Sequence, residues 1–242
     1  MTAANPILWT KGLERRFGGV RAVAGVDFAL QPGELRCLIG PNGAGKSTFF
    51  KMITGQLRPS AGEIHIAGRS MQDAEPHEIA QRGVGIKNQV PDVMNGLKVR
   101  ENLWLAASAK WRGEKVAAAV DRIAARLSLT SILDRLVGEL AHGQRQWVEI
   151  GMVIVAEPKI VLLDEPTAGM SDEETSLTAN LIREINKDMT IVVVEHDMQF
   201  IRQIAQTVTV FHQGRILMED TFDQVAGNPT VREVYLGRAK GI

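Results

Sequence analysis

Apolar and polar positions follow one pattern near the ends of the chain and another in its middle. Three nearly continuous apolar runs of strand length cover residues 34–39, 159–163 and 189–194. Unbroken apolar runs of this kind are typical of strands buried on both faces of a parallel sheet. Shorter runs bounded by turn residues predict further strands, at residues 8–13, 21–23, 26–30, 62–68, 84–89 and in the hairpin 208–218.

In the middle of the chain the pattern changes to that of amphipathic helices. Helices are predicted at residues 99–112 and 114–127, and a third begins near Gly143. The segment is rich in alanine, leucine and charged residues and predicts a separate helical lobe. The chain is accordingly divided into a lobe at about residues 91–151 and an α/β core at about residues 1–90 and 152–242.

A glycine-rich loop follows the first apolar run and precedes a predicted helix that Gly55 closes. Glycines let successive backbone N–H groups turn towards a phosphate, and the helix presents its positive end to the same anion. Lys46 can then reach the β- and γ-phosphates of a nucleotide, and the Ser47 hydroxyl can ligate Mg²⁺. The alternative, a chance glycine-rich turn, leaves the flanking strand and helix unexplained. The predicted nucleotide-binding residues here are Gly40, Pro41, Asn42, Gly43, Ala44, Gly45, Lys46, Ser47 and Thr48.

Two carboxylates, Asp164 and Glu165, end the second apolar run. Parallel sheets bind their ligands at this end of the strands. Asp164 is therefore positioned to bind Mg²⁺, and Glu165 to polarise the water that attacks the γ-phosphate. The alternative, that the two residues cap the next helix, accounts for only one of them.

Three further residues each have two interpretations from the sequence alone. Phe17, before a pair of glycines, stacks on a base or packs in the core. Gln89, at the end of a predicted strand, coordinates Mg²⁺ or orients water, or it makes an ordinary loop contact. His196, at the end of the third apolar run, assists at the γ-phosphate or holds Glu165 in place, or it caps the following helix.

Composition narrows the classes of partner. The 242 residues carry 28 basic and 28 acidic side chains, so no net field attracts nucleic acid or an anionic membrane. The single cysteine, Cys37, cannot form an internal disulfide and is expected to be buried, which fits the cytoplasm. The N-terminus lacks the pattern of a secretory signal, and the apolar runs are too short to span a bilayer. Any membrane role is therefore expected to depend on a partner.

The order of these motifs along essentially the whole chain resembles the ATP-binding cassette (ABC) family of transporter ATPases. The family marker corresponds to Leu140, Ala141, His142, Gly143 and Gln144, just ahead of a predicted helix. The resemblance implies a single nucleotide-binding domain: an α/β phosphate-loop core with a mainly parallel sheet, an N-terminal antiparallel β subdomain and an inserted helical subdomain. It also implies a head-to-tail dimer, in which the marker of one chain meets the γ-phosphate held by the other.

The resemblance assigns roles to the three residues with open interpretations. It makes Phe17 the aromatic that stacks on adenine, Gln89 the glutamine that links the metal site to the helical lobe, and His196 the switch histidine. The implied catalytic set is then Glu165, His196 and Lys46, and the implied Mg²⁺ ligands are Ser47, Gln89 and Asp164. The marker residues Ala141, His142, Gly143 and Gln144 are implied to contact nucleotide.

Three positions depart from the family pattern. Ala141 and His142 replace the usual serine and first glycine of the marker, which removes one hydroxyl contact to the γ-phosphate and leaves the backbone N–H groups. Ser171 stands where many relatives have aspartate, in a loop that makes a contact across the dimer. Because the phosphate loop, both carboxylates and the histidine are present, a competent ATPase is still expected.

Three stretches resemble the ATP-binding subunits of bacterial urea importers, which belong to the branched-chain amino acid importer group. They cover residues 142–152, 172–175 and 231–237. This resemblance implies membrane permease subunits, a second ATP-binding subunit and a solute-binding protein as partners, with the chain on the cytoplasmic face of the membrane. The alternatives are a branched-chain amino acid importer and a soluble ABC ATPase that works without a permease.

Overall fold

The computed structural model describes residues 5–89 and 92–236. Its strands are β1 (Leu8–Phe17), β2 (Val20–Leu30), β3 (Leu35–Ile39), β4 (Ala61–Ile66), β5 (Arg69–Ser70), β6 (Val84–Lys87), β7 (Ile160–Asp164), β8 (Thr190–Val194), β9 (Thr207–His212) and β10 (Arg215–Asp220). Its helices are α1 (Lys46–Ile53), α2 (Pro76–Gln81), α3 (Val99–Ala107), α4 (Glu114–Arg126), α5 (His142–Ile154), α6 (Asp172–Asn186), α7 (Met198–Ile204), α8 (Phe222–Gly227) and α9 (Pro229–Leu236). Gly237 and the proposed boundary between residues 90 and 91 involve positions outside the described residues.

The larger sheet has six strands in the order β10-β9-β3-β8-β7-β6. Five of these strands are parallel, and β10 pairs antiparallel with β9 at one edge. The three apolar runs of the sequence are its buried centre, as predicted, since β3 and β8 are buried at every position. Because parallel strands end at the same edge, the segments after β3, β7 and β8 lie side by side.

The smaller sheet is antiparallel, with the order β2-β1-β4-β5. The prediction of several short strands before residue 31 was wrong, because β1 and β2 form one long hairpin. Gly12, inside the predicted strand 8–13, and Gly25, between the predicted strands 21–23 and 26–30, lie at shifts of the register between β1 and β2. They are extra residues in bulges inside continuous strands.

The middle of the chain is helical, as predicted, but the bounds differ. The helix expected at residues 99–112 ends at Ala107. The Ser108 hydroxyl donates to the carbonyl oxygen of Trp104 at 2.8 Å, and Gly113 has a positive φ of 59°. Such a hydroxyl contact competes with the helical backbone and favours an end to the helix. The third helix, α5, begins at His142, one residue from the predicted start.

The core lies on the two faces of the larger sheet. On one face, side chains of β3, β7 and β8 pack against α3, α4, α5, α6 and α7, and Cys37 is fully buried there, as expected. On the other face, α1 lies between the two sheets. Phe49 of α1 is fully buried and its ring lies 5.3 Å from those of Phe28 and Phe211. The start of α1 is therefore fixed against both sheets.

Across residues 5–89 and 92–236, no helix combines the length and apolar character needed to cross a bilayer.

Candidate functional site

The loop between β3 and α1 is shaped by close contacts at its two ends. Gly40 has a φ of 150°, and a Cβ there would lie 2.3 Å from the carbonyl oxygen of Phe211. Gly45 has a φ of 105°, and its Cβ would lie 2.4 Å from the carbonyl oxygen of Ala22. Both positions therefore require glycine. The loop that results brings the first-turn N–H groups of α1 to the end of the sheet, where an anion binds favourably.

Lys46 is the first residue of α1, and its side chain reaches back to this loop. Its ammonium donates to the carbonyl oxygens of Gly40 at 2.5 Å and Pro41 at 3.2 Å. Burial lowers the pKa of Lys46, and the nearby carboxylates of Glu165 and Asp164 partly oppose that shift. The sequence predicted that one ammonium and two carboxylates from distant segments meet at the loop, and the structure brings them into electrostatic contact. Ser47 follows as an exposed residue in the first turn of α1.

The two acidic residues after β7 have different surroundings. The pKa of Asp164 is raised, first by burial and then by the charge of Glu165, while Lys87 and Lys46 lower it. Glu165 has a positive φ of 46° and donates its N–H to the carbonyl oxygen of Val194 at 2.9 Å. A non-glycine residue in this region of backbone space is strained, and such strain is concentrated at functional sites.

Gln89 and His196 both approach the carboxylate of Glu165. The side-chain amide of Gln89 donates to Glu165 Oε2 at 2.8 Å. His196 Nδ1 lies 3.7 Å from the other carboxylate oxygen, Glu165 Oε1. Three segments that are far apart in sequence therefore meet at one carboxylate, an arrangement that can hold and orient a water molecule. The interpretation of Gln89 as an ordinary loop contact does not account for this bond.

The alternative role predicted for His196, capping the following helix, is filled by the next residue instead. Asp197 is the N-cap of α7, and its carboxylate accepts from the N–H groups of Gln199 and Phe200. The His196 side chain is 68% exposed and faces the site. Phe17 is likewise 48% exposed at the end of β1, which rules out core packing, and the Arg15 guanidinium lies 4.8 Å from its ring centroid.

The marker segment begins α5 and contacts the loop that follows Glu165. Gln144 Oε1 accepts the N–H of Ala141 at 3.3 Å. His142 Nε2 donates to the carbonyl oxygen of Ala168 at 2.8 Å. A Cβ on Gly143 would lie 2.3 Å from Glu174 Oε1, so this glycine allows α5 to approach α6 closely. The histidine that departs from the family pattern thus joins the marker to the segment after the acidic pair.

Ser171, the third departure, has a local role. It is the N-cap of α6, where its hydroxyl accepts the N–H of Glu174 at 3.2 Å and Glu174 Oε2 accepts the N–H of Ser171 at 3.0 Å. This reciprocal pair of bonds is a capping box. Serine therefore supplies the helix cap at this position.

The structure adds charged residues that the sequence analysis missed. Lys87 Nζ lies 3.3 Å from Glu149 Oε2, and both side chains are buried. Glu149 Oε1 accepts the N–H of Asp92 at 3.1 Å, so this carboxylate of α5 contacts the chain on both sides of Gln89. Burial raises the pKa of Glu149, and the Lys87 ammonium partly opposes the rise. A lysine inside an apolar strand pattern and a glutamate on the apolar face of α5 were the available signals.

The geometry first defines a class of protein. A glycine loop between a parallel strand and a helix, with a lysine beside two carboxylates at the end of another strand of the same sheet, is the site of a phosphate-loop nucleotide-binding protein. The family model described as ABC transporter matches residues 23–168. The chain belongs to the ABC transporter family: it binds ATP, and it is an ATPase.

Two relatives of the chain agree with that family. The chain is 34% identical to the high-affinity branched-chain amino acid transport ATP-binding protein BraF of Pseudomonas aeruginosa, over 98% of this chain and 100% of the relative. It is also 34% identical to LivG of Escherichia coli K12, likewise a high-affinity branched-chain amino acid transport ATP-binding protein, over 98% of this chain and 100% of the relative. The resemblance seen in the sequence, to the branched-chain amino acid importer group, is confirmed at the level of the group.

Solved structures share the fold over nearly the whole chain. The ADP conformation of MJ1267, an ATP-binding cassette of an ABC transporter, has a TM-score of 0.89 at 30% identity and covers 96% of this chain and 99% of its own. CbiO1 from Clostridium perfringens, part of the ABC transporter complex cbiONQ, has a TM-score of 0.85 at 28% identity over 97% and 96%. The predicted α/β class, with parallel strands and helices, is confirmed.

Proposed function

We propose that the chain is the ATP-binding subunit of a bacterial importer, in which hydrolysis of MgATP drives uptake of a small solute through a separate membrane permease. The observation that carries the proposal is the convergence of Gln89 and His196 on Glu165, beside the phosphate loop and Lys46. This arrangement suits a carboxylate that polarises water next to a γ-phosphate.

In the proposed reaction the loop N–H groups and the Lys46 ammonium bind the β- and γ-phosphates. Glu165 polarises a water molecule, whose oxygen attacks the γ-phosphorus as the bond to the ADP oxygen breaks. ADP and inorganic phosphate are then released. Gln89 and His196 fix the direction in which the Glu165 carboxylate points, and Phe17, exposed at the end of β1, stacks on adenine.

We include Mg²⁺ in the proposal because the site offers oxygen ligands of the kind that Mg²⁺ prefers. Among residues 5–89 and 92–236 there is no group of three or more histidine, cysteine or acidic side chains that could hold an ion by itself. Mg²⁺ in nucleotide sites is bound by one or two carboxylates together with substrate phosphates, and Asp164, Ser47 and Gln89 supply such a set. When bound, Mg²⁺ neutralises charge on the phosphates.

We further propose two chains per working unit. The marker residue Ala141 is the N-cap of the 13-residue helix α5, and His142, Gly143 and Gln144 form its first turn. N–H groups in the first turn of a helix have no partner within the helix, so they favour an anion, which a partner chain would bring. A head-to-tail pair would place each marker against the nucleotide of the other chain. Each chain would then consist of a core at about residues 1–90 and 152–242 and a helical lobe at about residues 91–151.

A groove beside Gln89 supports a permease partner on the cytoplasmic face of the membrane. The groove has a volume of about 1040 Å³, and its lining includes Asn88 and Asp92 next to Gln89, Ala106 of α3 and Met152 of α5. A segment of a permease bound there would contact Asn88 and Asp92, which precede and follow Gln89 in the chain. The Gln89 side chain in turn binds Glu165. In the proposed complex, a solute-binding protein delivers the solute to the permease from the opposite face of the membrane.

The substitution Glu165→Gln tests the ATPase role. The amide cannot polarise water as a carboxylate does, so we expect phosphate release to fall to background while ATP binding persists. Glu114→Gln, at the exposed start of α4, is the matched control and should keep wild-type turnover. Near-normal turnover in Glu165→Gln would contradict the assignment.

The solute is proposed to be urea, a related small amide or an amino acid. Similarity to BraF and LivG supports a branched-chain amino acid, and the stretches at residues 142–152, 172–175 and 231–237 support urea. Uptake of labelled urea and labelled leucine by a deletion strain separates the two. Loss of neither uptake, together with purification free of any membrane protein, would favour the alternative of a soluble ABC ATPase.

A further inference from the structure

We propose that Glu195 is a positioning residue that fixes the loop after Glu165 and the His196 segment relative to each other. The inference rests on the proposed roles of Glu165 and His196. Glu195 follows β8 directly and is only 2% exposed. A charged carboxylate is costly to bury unless several donors satisfy it, so the identity of those donors shows what the residue does.

Each oxygen of the Glu195 carboxylate binds a different segment. Oε1 accepts the Thr167 hydroxyl at 2.6 Å and the Thr167 N–H at 3.2 Å. Oε2 accepts the N–H of His196 at 3.0 Å. Thr167 is two residues beyond Glu165, and His196 adjoins Glu195 itself. One buried side chain therefore bridges the two segments whose side chains meet at the proposed site of water activation.

The bridge lies where the backbone is strained. Glu165 adopts a positive φ of 46°, and such a conformation persists only when the surrounding structure holds it. On one side, the Glu165 N–H is bound by the main chain of Val194 at 2.9 Å. On the other side, Thr167 is bound by the side chain of Glu195. The strained turn is thus fixed before and after by consecutive residues at the end of β8.

Glu195 also defines the surroundings of the histidine and connects to the phosphate loop. His196 Nδ1 lies 3.7 Å from Glu195 Oε2 and equally far from Glu165 Oε1, so the ring lies between two carboxylates. The Glu195 N–H donates to the carbonyl oxygen of Leu38 at 3.3 Å, on the strand that enters the phosphate loop. A small shift of Glu195 would change the direction in which both His196 and Glu165 point.

Thr167 offers the cleanest test, because its hydroxyl can be removed without changing the shape of the side chain. We expect Thr167→Val to lower kcat for ATP hydrolysis by about tenfold to a hundredfold, since small displacements of reacting groups have effects of this size. The KM for ATP should stay within about twofold, because the phosphate loop is unchanged. Thr167→Ser restores a hydroxyl and should recover most of kcat.

Thr10→Val is the matched control for a general loss of stability. Thr10 is buried in β1, and its hydroxyl donates to the carbonyl oxygen of Val26 at 3.0 Å, away from the site. It should keep the wild-type kcat at a temperature where every variant is folded by circular dichroism. Glu195→Gln is the second variant: its amide replaces one of the two acceptor oxygens by a donor, so either Thr167 or His196 loses its acceptor and kcat should fall here too.

The outcomes separate this inference from the proposed function. Wild-type turnover in folded Thr167→Val, a loss confined to KM, or an equal loss in Thr10→Val would each overturn the positioning role. If Glu165→Gln abolishes phosphate release in the same assays, the proposed function stands in all three cases. Absence of phosphate release from the wild-type chain would instead count against the proposed function itself.

Discussion

At the scale of single residues, the site depends on positions where the surrounding structure dictates the residue type or the backbone conformation. A Cβ on Gly40 would collide with the carbonyl oxygen of Phe211, and a Cβ on Gly45 would collide with that of Ala22. Glu165 holds a left-handed backbone conformation although it has a side chain. The first case is visible in the sequence as a motif, whereas the second depends on contacts with β8.

Gly45→Ala is expected to lower the affinity for ATP by about tenfold or more, since the methyl group would displace the loop or β2. Isothermal titration with ATP measures the loss. Gly227→Ala is the control, because a Cβ there meets nothing within 4 Å and the backbone is ordinary. Equal affinities in the two variants would contradict the close contact at Gly45.

Asp164→Asn is expected to raise the free energy of unfolding near neutral pH while abolishing ATP hydrolysis. Burial and Glu165 raise the pKa of Asp164, so the folded chain binds this proton more tightly than the unfolded chain. The stabilising contribution of Asp164 is therefore present below its ordinary pKa of 3.8 and is lost as pH rises through the folded pKa. The asparagine variant avoids that loss.

Urea unfolding at a neutral and at an acidic pH measures this effect. The advantage of Asp164→Asn should shrink as the pH is lowered, because wild-type Asp164 then becomes protonated. Asp73→Asn, at an exposed position, should show no advantage at either pH. An advantage of Asp164→Asn that is the same at both pH values would contradict this account.

At the scale of elements, α5 is joined to the sheet through charge as well as through apolar packing. Glu149 of α5 binds Lys87 at the end of β6 and the N–H of Asp92 beyond it. The ion pair is buried, and such pairs tolerate joint replacement far better than the loss of one partner. The pair therefore determines how α5 lies relative to the segment that carries Gln89.

Lys87→Met should lower the free energy of unfolding by about 3 kcal/mol, because it leaves the Glu149 carboxyl buried without its partner. The double variant Lys87→Met with Glu149→Leu should recover most of the loss. Arg58→Met breaks an exposed pair with Glu75 and should cost less than about 1 kcal/mol. Urea unfolding measures all three, and a double variant as unstable as the single one would contradict the pairing.

At the scale of the whole molecule, the proposed head-to-tail pair would make the site of one chain half of a larger one. The marker lies at the start of α5 and contacts the loop after Glu165 through His142, so it faces outward from the same side of the molecule as that loop. Two chains in head-to-tail contact would enclose the nucleotide that one chain leaves accessible. ATP then favours the closed pair by its differential affinity for that state.

Glu165→Gln with MgATP should convert the chain from monomer to dimer in size-exclusion chromatography with light scattering. Slow hydrolysis preserves the ATP that holds the pair together. Adding Lys46→Ala to this variant removes the ammonium that we propose binds phosphate, and it should keep the variant monomeric. A Glu165→Gln chain that stays monomeric at saturating MgATP contradicts pairing with a second copy of itself.

The parts of the structure that were predictable from the sequence are local ones. The phosphate loop, the apolar runs of β3, β7 and β8, and the helical pattern of α4 each depend on residues close together in the chain. The strand β2 was misjudged as two strands because a bulge glycine such as Gly25 looks like a turn glycine in a sequence. The end of α3 was missed because a hydrogen bond from a serine side chain to the backbone does not change the spacing of apolar residues in the sequence.

The sequence by itself determined that the chain has a phosphate loop, an acidic strand end and buried parallel strands, since short-range spacing encodes each of these. Only the tertiary structure decided which side chains meet. The order β3-β8-β7-β6 brings Gln89, Glu165 and His196 together and places Glu195 and the Lys87–Glu149 pair in the interior. Strand order arises from packing across the whole sheet, and no local pattern of residues specifies it.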